Sequence, residues 1–166
     1  ADVGDTDGPI AKLAPDLTHV AADALHWLSG FKRPLVVVGG PHWSPQAATD
    51  LASFATAQNL PVALGFRRQD YLDNRHPNYA GDLNVGVNPK LAQRVRDADA
   101  LLVIGSRLGD IETQGYSLID PANPHCAILH VHADANEHGH VYQPDLAVTA
   151  DAVSFIRALS KLPASR

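Results

Sequence analysis

Ala100-Leu101-Leu102-Val103-Ile104 is an unbroken apolar run that stops at Gly105-Ser106-Arg107. A strand with one wet face alternates apolar and polar residues. A short continuous run has no wet face and reads as a strand buried on both sides, as in a parallel sheet between helices. The same signature recurs in Leu35-Val36-Val37-Val38, closed by Gly39-Gly40-Pro41, and in Ala127-Ile128-Leu129-His130-Val131. Pro61-Val62-Ala63-Leu64-Gly65 and Leu146-Ala147-Val148 are shorter versions.

Helical periodicity fills the intervals. Asp16 opens a first helix carrying Leu17, Val20, Ala21, Ala24, Leu25 and Leu28, and Gly30 ends it. Ser44-Pro45 is an N-cap with proline at the first helical position, followed by Ala47, Ala48, Leu51, Ala52, Phe54 and Ala55. Pro89 starts a third helix through Leu91, Ala92 and Val95, and Asp151 caps a last one with Val153, Phe155, Ile156 and Leu159. Phe66 to Asn88 and Leu108 to Pro124 read as irregular. Strands alternating with helices predict a doubly wound α/β sheet. Ala1 to Ala14, with Gly4, Asp5, Asp7, Gly8 and Pro9, has linker composition. The chain contains no methionine, even at its start, so the expectation is a piece processed or cut from something longer.

Composition narrows the function. The 166 residues carry 13 basic and 18 acidic side chains, a net charge of -5, with no basic run to meet nucleic acid or an anionic membrane. No apolar run approaches the ~18 residues of a membrane span, and no signal-peptide pattern opens the chain. A cytoplasmic protein is the expectation. The single cysteine, Cys126, precedes an apolar run and reads as a buried, inert thiol.

In an open parallel sheet, ligands bind beyond the C-terminal strand ends at the switch point of the topology. Three segments fall there. Gly39-Gly40-Pro41-His42 either lets a phosphate approach the backbone or forms a plain tight turn. Gly105-Ser106-Arg107 offers a hydroxyl and a guanidinium fork for phosphate, unless Arg107 is spent on a surface ion pair with Asp110 or Glu112. His130-Val131-His132-Ala133-Asp134 ends in an acid placed to accept from ribose hydroxyls. His130, His132, His138 and His140 have no diagnostic metal-site spacing, so no metal ligand is nominated. There is no GxSxG elbow, Walker A loop or HExxH. The chain holds only two glutamates, Glu112 and Glu137, so no catalytic carboxylate pair stands out. No residue is nominated as catalytic.

The segments also occur in a telling order. Arg33 to Gly40 resembles the opening strand and glycine turn of the central domain of thiamine-diphosphate enzymes. That family spans acetolactate synthase, pyruvate oxidase and benzoylformate decarboxylase. Asn59-Leu60-Pro61-Val62 resembles its second strand, and His76-Pro77-Asn78-Tyr79-Ala80-Gly81 its HPxYxG segment. Asp97 to Leu108 is similar to its DADxLLxxGxR signature, the most specific piece. His130 to Asp134 and Thr149-Ala150-Asp151-Ala152 occupy the places of its HIDID strand end and closing GDA.

The resemblance implies a Rossmann-like, mostly parallel six-stranded sheet with helices on both faces. It implies residues 1–14 as a linker from a preceding domain and 15–166 as the central domain. It makes Gly39, Gly40, Gly105, Ser106, Arg107, Asp134 and Asp151 the candidate contacts for FAD or another ADP-bearing ligand. Thiamine diphosphate and Mg2+ would be bound by flanking domains of a homodimeric or tetrameric enzyme. That enzyme would be a carboligase or decarboxylase of 2-oxo acids. Gly81-Asp82-Leu83 is the nearest approach to the family's metal-binding GDG, and it falls in the expected loop before the third helix. Two other readings stand beside this one: a stand-alone nucleotide-binding or regulatory module, and, less favoured without GxGxxG, an NAD-dependent dehydrogenase.

Overall fold

A computed structural model describes residues 16–164; the expected linker, residues 1–14, lies outside them. Six strands form one sheet: β1 (Pro34–Val38), β2 (Val62–Leu64), β3 (Tyr79–Asp82), β4 (Ala100–Ile104), β5 (Ala127–His132) and β6 (Leu146–Thr149). Four α-helices flank them: α1 (Thr18–Leu28) precedes β1, α2 (Pro45–Gln58) and α3 (Pro89–Asp97) lie between strands, and α4 (Ala152–Ser160) follows β6. The strand order is β3-β2-β1-β4-β5-β6 and every pairing is parallel, so the sheet is wholly rather than mostly parallel. β1 and β4 lie side by side at the centre, in register from Pro34↔Ala100 to Val38↔Ile104. All ten of their residues are buried, as their continuous apolar runs require.

Side chains alternate along each strand, so one run feeds two cores. Val36, Val38, Leu102 and Ile104 face α1, α2 and α4, with Phe54 and Phe155 filling the layer. Leu35, Val37, Leu101 and Val103 face α3 and the stretch carrying Leu108, Leu118 and Ile119. The helices cover both faces, three on one and one on the other.

Local signals act as their chemistry predicts at most boundaries. Ser44 Oγ accepts from Ala47 N at 3.1 Å, and Asp151 Oδ2 from Ser154 N at 2.9 Å, each taking up an orphan N–H of the first turn. At α1 the expectation shifts by one position. Leu17 occupies the N-cap place and makes no side-chain cap bond, while Asp16 accepts from Thr18 N at 2.9 Å just ahead of it.

One strand was hidden. β3 lies inside the stretch expected to be irregular, and it places Gly81-Asp82 at a strand end rather than in a loop. All four of its residues are only partly buried, Gly81 has φ +125°, and a register shift separates its first pair from the rest. A short edge strand without β-branched residues carries no periodic signal. The other expected irregular stretch, 108–124, is indeed a series of turns.

Candidate functional site

The C-terminal ends of β1, β4 and β5 open onto one cleft of about 520 Å³. It sits where the chain winds outward in both directions from the central pair, which is the switch point of a doubly wound sheet. Its volume falls within the range typical of small-molecule sites. All seven nominated residues line it: Gly39, Gly40, Gly105, Ser106, Arg107, Asp134 and Asp151.

The glycines answer first to each other. A Cβ on Gly105 would come within 2.5 Å of the Gly39 carbonyl and 2.9 Å of Ala152 Cβ. A Cβ on Gly40 would meet the Gly105 carbonyl at 2.9 Å. Both also have positive φ, +75° and +89°. The two turns therefore pack backbone on backbone, and only glycine fits there. Around them His42, Arg67 and Leu108 also adopt left-handed backbone, φ 64°, 59° and 50°. Such strain persists only where neighbours hold it, and it gathers at binding sites. Part of the hold is aromatic. The Tyr71 hydroxyl donates to the Gly40 carbonyl, and Trp43 stacks on the Tyr71 ring at 4.0 Å.

Ser106 is buried and spoken for. Its hydroxyl donates to Glu112 Oε2 at 2.5 Å and accepts from Leu108 N at 3.0 Å. The other oxygen of Glu112 accepts from Phe66 N at 3.1 Å. Glu112 thus ties the end of β2 to the end of β4 across the cleft floor. Ser106 lines the cleft as part of this brace rather than as an open donor.

Arg107 is 69% exposed, and its Nη2 lies 3.1 Å from Glu137 Oε1. The expected alternatives, Asp110 and Glu112, are not its partners: Glu112 is held by Ser106 and Phe66, and Asp110 accepts from Ile111 N. Asp134 Oδ1 accepts from Asn136 N at 2.9 Å, which holds its carboxyl below the usual range. Asp151 caps α4. Four lining carboxylates therefore each accept a backbone N–H, while Arg107 and Arg68 are the cleft's full cations.

Beneath the β5 end, His130 is buried, and its Nε2–H donates to the Ser106 carbonyl at 2.8 Å. The His132 and His138 rings approach it edge-on at 5.8 and 5.1 Å. Burial pushes His130 below its ordinary value, against the bond to Ser106. Among the described residues no group of three or more His, Cys, Asp or Glu could hold a metal ion. The residues that sequence reasoning missed are Glu112 as a brace, Glu137 as the partner of Arg107, and the Phe66 and Arg68 edge. A signal for the last existed: Gly65 ends a strand just as Gly39 and Gly105 do.

Fold and cleft define a Rossmann-like α/β domain with a crevice at its switch point. Residues 21–159 match the family model for the central domain of thiamine pyrophosphate enzymes, and the chain belongs to that family. It is 26% identical over 138 residues to a sulfoacetaldehyde acetyltransferase of Alcaligenes xylosoxydans xylosoxydans, covering 83% of this chain and 23% of that one. It is 28% identical over 141 residues to the acetolactate synthase isozyme 1 large subunit of Escherichia coli K12, covering 84% and 24%. The chain thus spans about a quarter of the length of these relatives. Among solved structures, a thiamine diphosphate-dependent 4-hydroxybenzoylformate decarboxylase of Rhodococcus jostii RHA1 shares the fold, with a TM-score of 0.61 and 22% identity over 89% of this chain and 28% of that one.

Proposed function

We propose that this chain is the middle domain of a larger thiamine-diphosphate-dependent enzyme that acts on 2-oxo acids as a carboligase or decarboxylase. Residues 1–14 would link it to a preceding domain, and 15–166 would form the domain itself. One observation carries the reading: the family match runs nearly end to end through a chain that spans a quarter of its relatives. In this reading the flanking domains hold thiamine diphosphate and Mg2+, and the assembled enzyme is a cytoplasmic homodimer or tetramer. The thiamine cofactor supplies the carbanion-stabilising centre. This chain contributes no catalytic residue; it is a packed scaffold between the domains that do.

The cleft adds a second role, binding an ADP-bearing ligand: ADP itself or the ADP half of FAD. Its residues fit in part. Gly40 and Gly105 are partly exposed at the cleft, although the space beside each is taken by the facing turn, and Arg107 offers a fork that can exchange Glu137 for a phosphate. Asp134 stands at a strand end, where a ribose hydroxyl can donate to it. Ser106 does not fit as a contact, because its hydroxyl is engaged on both sides.

Two experiments test these readings separately. The chain expressed with its flanking coding sequence should consume a 2-oxo acid only when thiamine diphosphate is present, and the chain alone should not. Flanking sequence that encodes no such domains would overturn the proposal and favour a stand-alone module. For the cleft, calorimetry with ADP and FAD is the measure. A charged hydrogen bond contributes about 1.5–3 kcal/mol, so Arg107→Ala should weaken binding about tenfold or more. Unchanged affinity would remove Arg107 from the site, and no binding by the wild type would leave the scaffold role alone.

A further inference from the structure

A second depression, of about 440 Å³, lies at the opposite end of the sheet. Its walls are the starts of β1 and β2 and one stripe of α3, where Lys90, Gln93, Arg94 and Asp97 share a face at helical spacing. Lys32 and Arg33 enter from the turn before β1. Four cations therefore line the depression against one carboxylate, in a chain whose net charge is -5.

These cations are only partly balanced from within, by Asp97 of the wall and by Asp99 beside Arg33. Among the described residues, the side chains of Lys32, Lys90 and Arg94 make no hydrogen bond or ion pair; the ion pairs formed are Arg75–Asp73, Arg107–Glu137 and Arg157–Asp50. The one acid of the wall, Asp97, accepts from the neutral amide Gln93 Nε2 at 2.9 Å, so it keeps its charge and offsets one of the four cations. Arg33 Nε donates to the Asp97 carbonyl at 2.6 Å, which fixes its guanidinium at the depression and leaves the remaining donors of the fork. The backbone is anchored too: Asp99 accepts from Lys32 N and Arg33 N, both at 2.8 Å. Like charges gathered in a concave surface raise the local potential and concentrate anions of opposite sign. Two guanidinium forks flanked by two ammonium groups match the oxygens of linked phosphates, which accept several charged hydrogen bonds at once.

We infer that this depression is a binding site for a small multivalent anion of the diphosphate class, separate from the cleft at the C-terminal strand ends. Inorganic pyrophosphate is the probe, titrated by calorimetry at low and at high salt. The wild type should bind it at low salt and release it as salt rises. Arg94→Gln should weaken binding about tenfold, and Lys90→Gln combined with it should weaken it further. Arg94→Lys should recover part of the loss. Arg75→Gln, which removes a cation elsewhere on the surface, should leave affinity unchanged. Arg75, Lys90, Arg94 and Arg107 are all exposed, so circular dichroism of each variant should match the wild type. No binding by the wild type at low salt overturns the inference. So does an equal loss in Arg75→Gln, which would mean diffuse charge attraction, or a loss in Arg107→Gln without one in Arg94→Gln, which would place the anion in the other cleft.

Discussion

Replacing Glu112 by alanine removes the brace between two strand ends. The lost contacts are the bond from Ser106 Oγ at 2.5 Å and that from Phe66 N at 3.1 Å. Each is a hydrogen bond to a carboxylate, and such bonds contribute about 1.5–3 kcal/mol when shielded from water. Glu112 is only half-buried, so solvent recovers part of that; a net loss of about 2–4 kcal/mol is expected. For a domain of this size, a loss near the middle of that range lowers Tm by roughly 6–12 °C. Thermal unfolding followed by circular dichroism reads it directly. Glu112→Gln keeps the acceptor for Phe66 N and should lose only about 1 kcal/mol.

Gly65 offers an internal check, because a Cβ there would collide with Glu112 Oε1 while its next contact, the Val38 carbonyl, is 3.4 Å away. Gly65→Ala should therefore cost much less in the Glu112→Ala background than in the wild type. The coupling should be about 1 kcal/mol or more. Additive losses, or an alanine variant within about 0.5 kcal/mol of the wild type, would refute the brace.

Other outcomes follow from the same geometry. Gly105→Ala should destabilise by about 3 kcal/mol or more, since positive φ combines with a 2.5 Å approach to the Gly39 carbonyl; urea unfolding measures it. His130 has its pKa lowered on folding, chiefly by burial, so the folded state favours the neutral ring. Its contribution is fully present above the ordinary value of 6.5 and is lost as pH falls below it. Urea midpoints should drop on acidification through that range, and the drop should shrink in His130→Gln. Burial, with Asp145 nearby, pushes the Cys126 thiol up to about 11, so iodoacetamide should label it only after unfolding.

How far the sequence spoke depended on burial. β1 and β4 are buried on both faces, and burial forces continuous apolar runs that are visible at sight. Caps such as Ser44 and Asp151 are equally legible, because a side-chain oxygen before a helix has one local task. β3 was silent because an edge strand, partly buried and bent at Gly81, answers to its neighbour and not to its own composition.

The cleft shows the same division. Strand ends are local, so Gly39, Gly105 and Asp134 could be nominated from order alone. Which acid meets Arg107 is a tertiary matter: Glu137 reaches it from beyond β5, while Asp110, a near neighbour in sequence, does not. The same holds for Ser106, whose hydroxyl looked available until Glu112 and the Leu108 amide closed on it.

The strand order also governs how such a chain is made. β1 lies in the middle of the sheet, yet its partner β4 is synthesised only after β2, β3 and α3. Until Ala100 to Ile104 leave the ribosome, Leu35 to Val38 present an unpaired strand edge on one side, with apolar side chains on both faces. A nascent or truncated chain ending before Ala100 is then a sticky half-sheet, open to pairing with any passing strand.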